Sequence, residues 1–194
     1  MTEAQEEIFA LLADPATHGS GAVRRIDRHA AAVFLAGERA YKIKRAVVFP
    51  FLDYSTIAKR KAACEAELRV NRPFAPDIYL RVVAITREDG RLALDGPGEP
   101  IEWAVEMRRF DENMTLDHLA DERKIEGDLA DALARAVAAA HERAPVVEAE
   151  PWLDALGRFI GQNDAALRER PQIFPSSDVE ELTKTSRMAL DRLR

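Results

Sequence analysis

The run Arg39-Ala40-Tyr41-Lys42-Ile43-Lys44 alternates with period two, which puts Lys42 and Lys44 on one face of a strand. The helical segment that follows carries two acids, Glu65 and Glu67. A strand lysine beside a helix carboxylate is suited to holding a polyphosphate. The fixed ammonium stabilises an array of negative charge, and the carboxylate holds the lysine's flexible stem. Alternation treats Lys42 and Lys44 alike. Ile57, Cys64 and Leu68 form the helix's apolar stripe, and at about 100° per residue Glu65 and Glu67 sit off it by comparable angles.

Other chemistry-bearing residues have plainer readings. His141-Glu142 lacks the second histidine of a zinc-binding H-E-x-x-H and reads as a cation near a helix C-terminus. Cys64, on the apolar stripe, reads as a small core hydrophobe. Trp103, Met107 and Trp152 read as packing residues. Arg108-Arg109 follows a strand and could meet phosphate or form a solvated edge, and Arg24-Arg25-x-x-Arg28 reads as surface.

Positioning these groups requires a folded core, and 194 residues suffice for one large domain or two small lobes. With 47% hydrophobic and 32% charged residues the composition is that of an ordinary globular protein. A net charge of −6 argues against a general nucleic-acid binder. The single cysteine excludes an internal disulfide, and no Cys/His cluster has zinc spacing. The first residues carry acids where a signal peptide needs positive charge, and the longest apolar stretch, Ala132 to Ala140, is interrupted by Arg135. A cytoplasmic protein without membrane contact is the expectation.

The patterning predicts a helix over 2–13 stopped by Asp14-Pro15, a loop over 17–21, and a strand at 23–27. A hairpin of Val33–Leu35 with Arg39–Lys44 turns at Gly37-Glu38. Residues 49–54 form an aromatic connector. Ser55 or Thr56 caps a helix over 57–72 ended by Pro73. Strands at 79–86 and 92–94 flank the hairpin turn Asp89-Gly90, and another covers 101–107. Helices follow at 115–123, 128–143 and 152–170, and a last one opens on an S-x-x-E box at Ser177 and Glu180. The fold class is α+β, strand-rich first and helical afterwards.

Three strands, a helix, further strands and then helices is the order of a protein-kinase small lobe leading into a large lobe. In kinases the third strand carries the phosphate-binding lysine, paired with a glutamate of the next helix. The kinase strand also presents a small residue two positions before that lysine, against the base. Ala40-x-Lys42 fits this rule and favours Lys42, whereas Lys42-x-Lys44 would put a charge beneath the base.

The stretches Val33-Phe-Leu-Ala-Gly-Glu-Arg-Ala-Tyr-Lys-Ile-Lys-Arg, Phe49-Pro-Phe-Leu-Asp-Tyr-Ser-Thr, Cys64-Glu-Ala-Glu-Leu-Arg-Val-Asn-Arg and Ala75-Pro-Asp-Ile-Tyr-Leu resemble the aminoglycoside phosphotransferase-like proteins of bacteria. The resemblance is narrower still to a branch often fused to a second, P-loop kinase domain, and it spans about residues 18–145. It implies a protein-kinase-like fold, ATP with magnesium, and phosphate transfer to a small-molecule hydroxyl. By position in the motif Lys42 would bind phosphate, with Glu65 as its partner. Glu106 to Phe110, including Met107, Arg108 and Arg109, would be the hinge whose backbone meets adenine. The implied organisation is an N-terminal helix and loop over 1–21, a small lobe and hinge over 22–110, and an incomplete helical large lobe over 111–194.

The departures bear on activity. No H-x-D-x-x-x-x-N pattern occurs, so the family's catalytic aspartate and magnesium-binding asparagine have no counterpart, and no G-x-G-x-x-G lies between the first two strands. The expectation is a phosphotransferase portion that stops short of its catalytic loop. Such a portion would give no turnover of its own, at best millimolar ATP binding, and either self-association through its helices or a requirement for the missing segment. The alternatives are a non-catalytic nucleotide- or protein-binding regulatory module and an enzyme completed by a separate chain.

Overall fold

The computed structural model describes residues 3–19 and 21–194. Thr2 and Ser20, which the sequence places in the first helix and the loop after it, lie outside the described residues. Two compact units, 1–137 and 138–194, divide the chain.

The first unit begins with α1 (Glu3–Ala13) and a helical turn, α2 (Pro15–His18), capped by the Asp14 carboxylate, which accepts from Ala16 N at 2.9 Å. Strands β1 (Val23–Asp27), β2 (Ala31–Ala36) and β3 (Arg39–Lys44) follow, then the two-residue strands β4 (Val48–Phe49) and β5 (Leu52–Asp53). After α3 (Ile57–Asn71) come β6 (Tyr79–Glu88), β7 (Arg91–Leu94) and β8 (Glu99–Arg108). A 3-10 turn (Glu112–Met114) leads to α4 (Leu116–Asp121), and α5 (Gly127–Arg143) continues into the second unit. Six strands form one curled antiparallel sheet in the order β1-β2-β3-β8-β6-β7. The protein is α+β, as the patterning predicts.

Local chemistry explains the elements. Asp89 and Gly90 both adopt positive φ, which a two-residue hairpin turn requires, and join β6 to β7. Thr56 caps α3 by accepting from Lys59 N at 3.3 Å. The aromatic connector resolves into the β4–β5 hairpin, where Phe49 and Phe51 stack with centroids 5.7 Å apart.

Alternation gives the sheet two covered faces. On one, Ile8, Phe9 and Leu12 of α1 pack against Phe34, Tyr41, Ile43 and Ile85. On the other, α3 sets Cys64 against Leu35, Ala40, Val105 and Met107. The predicted stripe of α3 is corrected here. Ile57 is exposed, and the buried residues of the helix are Arg60 and Cys64. The inner face of α3 is largely ionic, so apolar spacing misplaces its centre.

In the second unit α6 (Glu150–Arg168) packs on α7 (Ser176–Asp191), with Leu153, Val179 and Leu190 buried. Gly157 of α6 faces Leu190 of α7: a Cβ there would lie in ordinary contact, 3.6 Å from Leu190 Cδ2. The predicted capping box does not form. Pro175, in extended conformation, takes the N-cap position, so Ser177 falls inside the first turn and donates to Asp178 Oδ1 at 3.0 Å. No described helix is long and apolar enough to cross a membrane.

Candidate functional site

Beside α3, on the same face of the sheet, lies a cavity of about 620 Å³. Strand alternation builds its floor: Ile26 from β1, Val33 and Leu35 from β2, Ala40 and Lys42 from β3, and Met107 from β8. Register aligns them, since Ala40 pairs with Leu35 and Met107, and Lys42 with Val33 and Val105. Ala40 leaves open space above the strand, and Lys42 stands two residues further along the same wall. Arg24, Arg28, Arg108 and Arg109 add positive charge to the lining, and Glu112 and Asp117 add acids.

Five of the six residues singled out from the sequence therefore line one cavity: Ala40, Lys42, Met107, Arg108 and Arg109. Glu65 does not, and its assignment as the partner of Lys42 is corrected. Its carboxylate lies 3.8 Å from Lys61 Nζ, one helical turn back, and it borders a separate surface groove with Leu68 and Val82. The partner is Glu67, whose Oε1 accepts from Lys42 Nζ at 2.8 Å, while Oε2 accepts from Lys44 Nζ. The physical reason is helical phase. Arg60, Cys64 and Glu67 lie on the face α3 turns to the sheet, and Glu65 is on the outer side.

Burial alone would raise the Glu67 carboxyl, but the hydrogen bonds and charges of Lys42 and Lys44 outweigh it and hold the group below its ordinary value. The carboxylate is therefore ionised at neutral pH. The two lysines differ in surroundings. The Lys42 side chain is 31% exposed and on the cavity wall, whereas that of Lys44 is 8% exposed and lies over the Tyr54 ring.

A second ionic group, which the sequence reading missed, anchors α3. Glu102, fully buried, accepts from Arg60 Nε at 2.8 and 3.0 Å and from Gln5 Nε2 of α1 at 3.0 Å. Gln5 also donates to Lys44 O at 3.0 Å and accepts from Ala46 N at 2.8 Å, which pins the end of β3. A signal for it existed: Arg60, Cys64 and Glu67 follow i, i+4, i+7 spacing.

In the expected hinge, the Arg108 N–H donates to Ile78 O and the Arg109 N–H to Glu38 O, each at 2.8 Å. Those two amides are engaged within the protein. Cys64 is buried, and burial pushes its thiol up to about 12, so it stays protonated and acts as packing. Among the described residues no group of three or more His, Cys, Asp or Glu could hold a metal ion.

The chain is 32% identical over 157 residues to uncharacterized proteins of Mycobacterium tuberculosis and Mycobacterium bovis. The match covers 79% of this chain and 30% of theirs, so the chain spans about 30% of the length of the curated relatives it matches. No family model matches the chain, and no solved structure matches it.

Proposed function

We propose that the cavity beside α3 is the nucleotide site of a protein-kinase-like small lobe, of the aminoglycoside phosphotransferase-like kind. The observation that carries this reading is Lys42, set on the wall of a cavity and held by a carboxylate from the adjacent helix. Ala40, Val33, Leu35 and Met107 give an apolar slot for a planar base, and Lys42 follows where phosphates would lie. The basic lining suits an anionic ligand.

The residues present fit the base and phosphates of ATP. They do not by themselves make a magnesium site, because no three-ligand cluster is available among the described residues. What this chain's own residues do is bind and orient. Lys42 offers a positive charge to a phosphate oxygen, Glu67 sets the direction of its stem, and the strand floor excludes water from the base. Phosphoryl transfer to a small-molecule hydroxyl is proposed for longer proteins of this kind. For this chain, whose sequence lacks H-x-D-x-x-x-x-N, the proposed activity is nucleotide binding.

A two-dimensional NMR titration of the 194-residue protein with ATP tests the reading. Binding in the millimolar range, about 4 kcal/mol, is expected, with shifts at Ala40, Lys42 and Met107. The variant Lys42→Ala should lose at least tenfold in affinity. Absence of ATP binding, or equal binding by Lys42→Ala, overturns it.

A further inference from the structure

Glu67 is shared by two lysines that are not equivalent, and this carries the proposed nucleotide site one step further. We propose that Lys44 is a positioning residue: it is the resident counter-ion of Glu67, and so frees Lys42 to engage the phosphates of a nucleotide. The inference rests on the nucleotide reading above.

The geometry assigns the two roles. Lys44 cannot follow a ligand. Its side chain is buried, it is absent from the cavity wall, and its carbonyl is fixed by Gln5. Lys42 can, being partly exposed on that wall. Glu67 stays in place because its helix is tied down two turns earlier by Arg60, bound to buried Glu102. Two ammonium groups on one carboxylate leave one positive charge in excess, which an arriving phosphate balances.

With a single lysine the balance would be different. Lys42 would be the only partner of a buried carboxylate, and turning toward a phosphate would leave Glu67 unpaired and facing a second anion. Such a charge left unpaired in a buried place is strongly unfavourable. Lys44 removes that conflict. It also explains why a strand with a lysine already in place carries a second, buried one two residues on.

The test compares ATP with adenosine, which shares the base and lacks phosphates, on the full 194-residue chain by NMR titration. In wild type ATP should bind more tightly than adenosine. In Lys44→Met the preference for ATP should fall at least fivefold while adenosine affinity holds, and Lys44→Arg should restore it. A purely structural role would move both ligands together or neither. An unchanged ATP-to-adenosine ratio in folded Lys44→Met overturns the inference while leaving the nucleotide reading intact. If Lys44→Met does not fold, the wild-type side-chain amines decide. On adding ATP the Lys42 Nζ and Cε signals should move and those of Lys44 should stay, and the reverse overturns the proposal. If wild type binds neither ligand, the nucleotide reading falls first and takes this inference with it.

Discussion

The two faces of the sheet share strands β2, β3 and β8, and a helix packs on each, but their contents differ. Beneath α1, Phe9 meets Phe34 with ring centroids 5.7 Å apart, and Leu12 and Ile43 complete a mainly apolar contact, with Gln5 of the same helix as its buried polar group. Beneath α3, the helix brings Arg60 and Glu67 toward Glu102, Lys42 and Lys44, with Cys64 as the apolar filling. Burying apolar area stabilises whatever it touches. Burying ions roughly breaks even, because desolvation opposes the attraction. The α1 face thus supplies stability, and the α3 face supplies fixed charge at a stated place.

Breaking the ionic side should have the largest effect. Arg60→Met leaves Glu102 buried with Gln5 as its remaining side-chain partner, and should cost about 3–5 kcal/mol in urea denaturation. The double variant Arg60→Met with Glu102→Met should cost far less than the two single changes together. Strict additivity would show that the pair is not coupled.

A smaller loss, about 1–2 kcal/mol, is expected for Glu67→Gln, which weakens two charge-assisted hydrogen bonds. Its pH dependence is diagnostic. The folded-state carboxyl lies below its ordinary value of 4.5, so the stabilisation is complete above that value and disappears as pH falls through the lowered one. Thermal melts of wild type and Glu67→Gln should differ by a constant amount from pH 7 to 5 and converge below pH 4. A gap that widens on acidification contradicts the pairing.

The smallest effect belongs to the mainly apolar face. Ile43→Val, between the two lysines in sequence but on the opposite face, should cost about 0.5–1.5 kcal/mol through a lost methylene. ATP affinity should be unchanged. A parallel loss of affinity would mean that the faces are not separable.

The elements of the first unit were readable because each rests on a local rule. Asp89-Gly90 marks a hairpin, Thr56 a helix start, and Arg39–Lys44 a period of two. Of the cavity wall, Ala40 and Lys42 followed from alternation along β3 and the small-residue rule, whereas Met107, which the residues alone read as packing, entered with Arg108 and Arg109 only through the family resemblance. The glutamate was not readable. Centred on Ile57, Cys64 and Leu68, Glu65 and Glu67 are nearly equidistant at about 100° per residue. Centred where α3 meets the sheet, between Arg60 and Cys64, Glu67 lies roughly 40° away and Glu65 roughly 120°. Apolar periodicity cannot find a helix face whose buried residues are charged. The capping box failed differently: Ser177 and Glu180 have the right spacing, but Pro175 starts the helix before Ser177 can cap it.

The side chain of Gln5 has a consequence for how the chain comes off the ribosome. Its amide bonds with Lys44, Ala46 and Glu102, and the last of these lies 97 positions away. At roughly 5–20 residues per second of synthesis, on the order of 5–20 s separate Gln5 from its carboxylate partner. The polar fastening of this early helix is thus completed late, whereas the apolar partners of Ile8, Phe9 and Leu12, among them Phe34, Ile43 and Ile85, are made before Glu102. Until then the start of the chain is held chiefly by its apolar contacts.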